Sequence, residues 1–210
     1  MNVQDDFLLL VLSSPSGAGK TTLTRLLLDR CPELRFSVSH TTRPARANEV
    51  DGRDYHFVER SSFLELVAKD AFLEWAEVHG NLYGTSIAEI ERARAVEGCT
   101  GMLFDIDYQG ARQIKSKVTD VIAVFILPPS MQELERRLRG RASETEETIR
   151  RRYEVAKREI EHYGLFDYLV VNEDLDRAVD DLRSILVAER ALRSRRAPLA
   201  ESLLRVGRLV

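Results

Sequence analysis

What this chain has little of already narrows it. Two cysteines in 210 residues, Cys31 and Cys99, are too few and too isolated for a disulfide framework or a zinc site. Both are expected to be packing residues, which fits a reducing cytoplasm. Long apolar runs are missing as well: the longest, 7–12 and 121–127, fall far short of the roughly 20 residues of a membrane helix. Residues 1–6, MNVQDD, have neither the basic start nor the apolar stretch of a secretory signal, so neither export nor a membrane partner is expected. No charge sign dominates. With 31 Lys and Arg against 34 Asp and Glu, the net charge of -3 argues against a nucleic-acid partner, and any cationic site must be a local cluster. His40, His56, His79 and His162 are too scattered for a metal site and read as structural or exposed. There is no internal repeat and no low-complexity linker.

What is present begins at residues 7–23, FLLLVLSSPSGAGKTTL. An apolar run stops at a small-residue loop, 13–19, and Lys20-Thr21-Thr22 opens a segment with Leu23, Leu26 and Leu27 at helical spacing. Strand, phosphate-binding loop and helix follow from that order. A polyphosphate needs backbone N–H groups aimed at it, a lysine for its outer charges and a hydroxyl for the shell of a Mg²⁺ ion. Gly17 and Gly19 permit the close approach, Lys20 supplies the charge and Thr21 the hydroxyl. Ser14 stands where the first glycine of G-x-x-x-x-G-K-[ST] belongs; a serine fits if its φ is negative, whereas a positive φ costs roughly 1 kcal/mol or more.

Further apolar runs at 100–106, 121–127 and 168–171 alternate with helical segments at 109–117, 131–139 and after 172. This predicts an α/β fold whose core is a parallel sheet flanked by helices. The stretch 37–84 breaks the alternation and is expected to form an inserted lobe, with a short helix over 61–68 capped by Ser61 or Ser62. A strand over 72–78 and a helix over 85–96 follow. Ser130 caps the helix at 131, and Ser143 with Glu146 three residues on predicts a capping box heading a long charged helix.

Arg43 and Arg46, with Tyr55 and Tyr83, suggest a second phosphate site, because guanidinium forks grip phosphate and a phenol adds a donor without charge. On composition alone, exposed loop arginines remain the ordinary reading. Asp105, closing an apolar strand, suits Mg²⁺ either directly or through water, or else caps the next helix.

Six motifs taken in order, SPSGAGKTTL, SVSHTTRPAR, EVDGRDYHFV, FLEWAEVHGNLYGTS, FDIDYQG and GRASETEETIRRR, make the chain resemble the guanylate kinase family from about residue 7 to 189. The resemblance implies an ATP:GMP phosphotransferase of purine nucleotide metabolism, acting on GMP and its deoxy counterpart with Mg²⁺, built as a nucleotide core, an inserted GMP-binding lobe and a mobile helical lid. The core would span 1–36, 97–136 and 164–192, the lobe with its connecting helix 37–96, the lid 137–163, and a tail 193–210. The implied ATP contacts are Ser14, Pro15, Ser16, Gly17, Ala18, Gly19, Lys20, Thr21 and Arg137. The implied GMP contacts are Ser39, Arg43, Arg46, Tyr55, Glu74, Tyr83, Thr85 and Asp107, with Thr21 and Asp105 toward the metal and Lys20, Arg43, Arg141 and Arg152 as catalytic cations. Apart from the resemblance, Glu74 reads only as a solvated strand residue and the lid arginines as surface ion pairs. Two rivals stay open: a catalytically silent phosphopeptide-binding module of the same fold, and a P-loop kinase with another acceptor. Oligomeric state is not legible.

Overall fold

The computed structural model describes residues 7–78, 80–140 and 145–206. At its centre lies β1 (Leu8–Ser13), flanked in parallel by β7 (Gly101–Asp105) and β8 (Val121–Leu127). β2 (Leu34–Phe36) extends the β7 side and β9 (Tyr168–Val171) the β8 side, giving five parallel strands in the order β2-β7-β1-β8-β9. β1 is apolar from Leu8 to Leu12 because both faces of the sheet are covered. Leu8, Leu10 and Leu12 pack with Leu23 and Leu27 of α1 (Lys20–Arg30) and with Val179 and Leu182 of α7 (Leu175–Arg190). Phe7, Leu9 and Val11 face the other way, onto Ile90 and Ala93 of α3 (Ile87–Arg94) and Ala111 and Ile114 of α4 (Tyr108–Lys117). Cys31 and Cys99 are free thiols packed against these two clusters.

The stretch that breaks the alternation holds a second, four-stranded sheet in the order β4-β3-β6-β5. Its members are β3 (His40–Thr41), β4 (His56–Phe57), β5 (Phe72–Val78) and β6 (Asn81–Ser86), with α2 (Arg60–Ala68) covering a small core of Phe63, Phe72 and Leu82. Gly80, at φ +79°, makes the turn between β5 and β6.

Several local expectations are corrected. α2 starts one residue earlier than expected, flanked by Glu59 without a side-chain cap, so neither Ser61 nor Ser62 caps it. The helix expected from residue 85 starts at Ile87, because Thr85 and Ser86 are held in β6 by pairing with β5. Asp107, not Asp105, caps α4, accepting from the N–H groups of Gln109 and Gly110. Ser143 lies outside the described residues; α6 (Glu146–Ile160) is capped by Thr145, which accepts from Thr148 N–H. Ser130 caps α5 (Met131–Arg139) as expected. His40 and His56, apart in sequence, meet with ring centroids 4.6 Å apart because β3 and β4 are paired neighbours. The tail forms α8 (Arg193–Val206), on which Leu199, Leu203 and Leu204 are exposed.

Candidate functional site

The phosphate loop emerges from the C-terminal end of β1, at the sheet edge where α/β folds bind ligands. Gly17 and Gly19 adopt φ of +93° and +95°, and neither has room for a side chain: a Cβ would lie 2.9 Å from Leu138 Cδ2 at Gly17 and 2.4 Å from Asn172 Nδ2 at Gly19. Ser14 is not among the residues of positive φ, so the serine at the loop's entry carries no backbone strain.

The loop's orientation is fixed from behind. Asn172 Nδ2 donates to the Ala18 carbonyl at 2.7 Å, and Arg137 donates to the same carbonyl at 3.3 Å and to the Asn172 carbonyl at 2.9 Å. Glu133 in turn holds the Arg137 Nε at 2.8 Å. Since a trans peptide points its N–H opposite its C=O, holding the Ala18 carbonyl toward Asn172 and Arg137 turns the Gly19 N–H the other way, an arrangement that can receive an anion. Arg137, expected at ATP, thus braces the loop. Sequence reasoning missed Asn172; the available signal was a polar residue directly after the last strand, at the ligand-binding edge of the sheet.

Lys20 pairs with Asp105 and donates to the Ile106 carbonyl at 2.8 Å. Asp105 also accepts from the Thr24 hydroxyl at 3.3 Å, a partner not anticipated. Thr21 is exposed and lines, with Asp105, Ser39 and Tyr55, a cleft of about 490 Å³. Ser39, Tyr55 and Asp105 also line an adjoining cleft of about 330 Å³, together with Glu74, Tyr83 and Asp107. Thr21, on the first turn of α1 just after the loop, and the second sheet therefore line adjoining clefts with three residues in common.

On the second sheet, Arg43 lies 5.3 Å from the Tyr55 ring centroid and 5.7 Å from that of Phe57, and its guanidinium donates to Glu49 at 2.8 Å. Glu49 occupies the Arg43 guanidinium, and Arg43 in turn lowers the Glu49 carboxyl below its ordinary range. Arg46 is close by but largely exposed, its Nη1 3.9 Å from Glu49. Tyr55 and Tyr83 meet edge to face at 6.0 Å.

Glu74 differs from the sequence reading. It is 6% exposed, not solvated, because the pairing of β5 with β6 shifts register between Phe72 and Glu74 and turns Phe72, Leu73 and Glu74 all inward. Room for it comes from Gly110, where a Cβ would sit 2.9 Å from Glu74 Oε2. Burial pushes its carboxyl up to about 7; Asp107 adds to the rise, while hydrogen bonds from Thr85 and the charge of Lys117 oppose it. Thr85 is itself 3.3 Å from the Ser39 hydroxyl. Buried Glu74 and Thr85 and half-buried Ser39 thus form one polar cluster that can offer acceptors and hydroxyls to a flat polar ring. From α6, Arg152 reaches the loop through Ser16, while Arg141 lies outside the described residues.

A cradle for a polyphosphate at a parallel strand's end, facing a second sheet that carries an arginine among aromatic rings, defines a P-loop phosphotransferase. The comparisons with known proteins agree. The family model described as guanylate kinase matches residues 8–189. A guanylate kinase of Syntrophotalea carbinolica is 53% identical over 188 residues, 90% of this chain and 89% of that protein. One of Bradyrhizobium diazoefficiens is 52% identical over 193 residues, 91% and 87% of the two. The crystal structure of guanylate kinase from Anaplasma phagocytophilum superposes with a TM-score of 0.74 at 37% identity, covering 94% of this chain and 93% of that one. The chain belongs to the guanylate kinase family. No helix among the described residues is long and apolar enough to cross a membrane.

Proposed function

We propose that the chain transfers the γ-phosphoryl group of ATP to GMP, giving ADP and GDP, in the cytoplasm. The observation that carries this reading is the pair of adjoining clefts: the Thr21–Asp105 cleft and the Glu74–Tyr83 cleft share Ser39, Tyr55 and Asp105 in their lining, so donor and acceptor can meet there. Gly17 and Gly19 receive the triphosphate by their N–H groups, the Ala18 N–H being held at 3.1 Å by the Pro15 carbonyl, and Lys20 exchanges Asp105 for the outer phosphates. Arg43, exchanging Glu49 for the acceptor phosphate, is joined there by Arg46, Tyr55 and Tyr83. Arg152, with Arg141, adds charge from the lid as the phosphoryl passes. Phosphoryl transfer needs no protein nucleophile; positioning and charge neutralisation suffice.

Base choice rests on Glu74. Guanine presents N1–H and N2–H₂ side by side to a carboxylate and its O6 to a hydroxyl such as Thr85 or Ser39. Adenine has an acceptor at N1 and would leave Glu74 facing it unpaired, a mismatch that in favourable sites discriminates by about 10⁴. Thr21 and Asp105 are hard oxygen donors on one cleft, which suits Mg²⁺, an ion that takes few protein ligands and fills its shell with water and phosphate oxygens. When bound, it supplies neutralisation of the phosphate charge.

The test is ADP formation from MgATP with GMP, dGMP, AMP, UMP or ribose phosphates as acceptor. Turnover confined to GMP and dGMP is expected. Equal turnover with AMP would sink the guanine assignment, and no turnover with any acceptor would sink the kinase reading in favour of a binding module.

A further inference from the structure

α6 holds Ser16 of the phosphate loop from two sides. Arg152 donates to the Ser16 hydroxyl from Nη2 at 2.8 Å and Nε at 3.2 Å, and Glu159 Oε2 accepts the Ser16 backbone N–H at 2.9 Å. Arg152 and Glu159 stand seven residues apart, two turns along one helix face. The carboxylate does not belong to the acceptor site, and the phosphotransfer chemistry has no use for it as an acid or base. Placing an anion beside an anion-binding loop opposes its purpose, unless the geometry it imposes matters more than its charge.

The loop's other anchor shows what that geometry is. Asn172 and Arg137 fix the Ala18 carbonyl on one side; Glu159 fixes the Ser16 N–H on the other. Without an acceptor there, the Ser16 peptide is free to turn, and the N–H groups after it lose their common aim. Burial raises the Glu159 carboxyl and Asp107 raises it further, whereas the Ser16 N–H and the charges of Lys20 and Arg152 lower it. A neutral or a charged Glu159 keeps an oxygen for Ser16.

We infer that Glu159 is a positioning residue: by accepting the Ser16 N–H it holds the first half of the phosphate loop in its ATP-binding shape and ties that loop to the helix that carries Arg152. The inference rests on the loop being the ATP site. It is tested with Glu159→Ala, Glu159→Gln and Glu159→Asp by steady-state kinetics in both substrates and by calorimetric titration with a magnesium complex of a non-hydrolysable ATP analogue. Glu159→Ala removes the acceptor, and Glu159→Asp keeps the charge but withdraws the oxygen by one methylene. Both should weaken the analogue and raise KM for ATP by about ten- to a hundredfold, with KM for GMP unchanged. Glu159→Gln, which keeps a carbonyl oxygen within reach, should recover most of the affinity. Should Glu159→Ala fail to fold, Glu159→Asp carries the same expectation. Unchanged ATP affinity in the folded variants, an equal rise of both KM values, or a Glu159→Gln as impaired as Glu159→Asp would each overturn the inference. Absence of GMP-dependent turnover in the unmodified protein would instead overturn the functional reading beneath it.

Discussion

Replacing Glu74 by glutamine should stabilise the free protein and weaken its hold on GMP, in opposite directions from one atom change. In the free protein the carboxyl rises from 4.5 to about 7, mainly through burial. A group whose folded pKa exceeds its unfolded one keeps its proton better when folded, so stability declines as pH rises from 4.5 towards 7, and the loss is complete above that. The gap corresponds to about 3 kcal/mol of stability forgone near pH 8. Glutamine has no such proton to lose. At about 2–4 °C per kcal/mol for a chain of this size, Glu74→Gln should melt roughly 6–12 °C higher near pH 8, with the difference shrinking towards pH 5. The same variant turns an amide NH₂ towards the two guanine donors, and losing charged hydrogen bonds worth roughly 1.5–3 kcal/mol each should weaken GMP by about a hundredfold or more. In the unmodified protein GMP affinity should rise with pH to about 7 and level off, because the ionised carboxylate is the form that accepts both donors. Thermal melts from acid to alkaline pH, paired with GMP titration calorimetry, read both effects. A melting difference independent of pH would refute the burial argument, and equal GMP affinities would refute the base-reading scheme.

Gly110→Ala places a methyl 2.9 Å from Glu74 Oε2 and should raise KM for GMP about tenfold while leaving KM for ATP alone, measured by varying each substrate in turn. Ser14→Gly relieves no strain, since Ser14 has no positive φ; turnover should stay level and stability should fall by roughly 0.5–1 kcal/mol in denaturant melts, from added freedom in the unfolded chain. Lys20→Ala removes the partner of Asp105 and the charge for the outer phosphates. Turnover should drop by about 10³-fold or more while GMP binding by calorimetry persists, and a folded variant that still turns over would count against the role.

Local chemistry made part of this protein legible from its residues. The apolar run into β1 followed by Ser, Gly and Lys announced strand, loop and helix, because turn residues and periodicity act over a few positions. Val121–Leu127 and the Ser130-capped α5 were readable for the same reason. Glu74 was not, since the register shift that turns it inward is set by pairing with β6, and an alternating pattern cannot reveal a bulge. Nor could periodicity bring Asn172 and Glu159 to the loop or Thr24 to Asp105, because those contacts span long sequence separations or depend on which side of a helix meets the sheet. The residue types alone determined the strand, the glycine-bearing loop and the lysine-headed helix, the pattern that points to a polyphosphate. Only packing decided which distant side chains hold that loop in shape and that an acidic strand residue lies buried opposite it, since burial and long-range hydrogen bonding are properties of the assembled sheets.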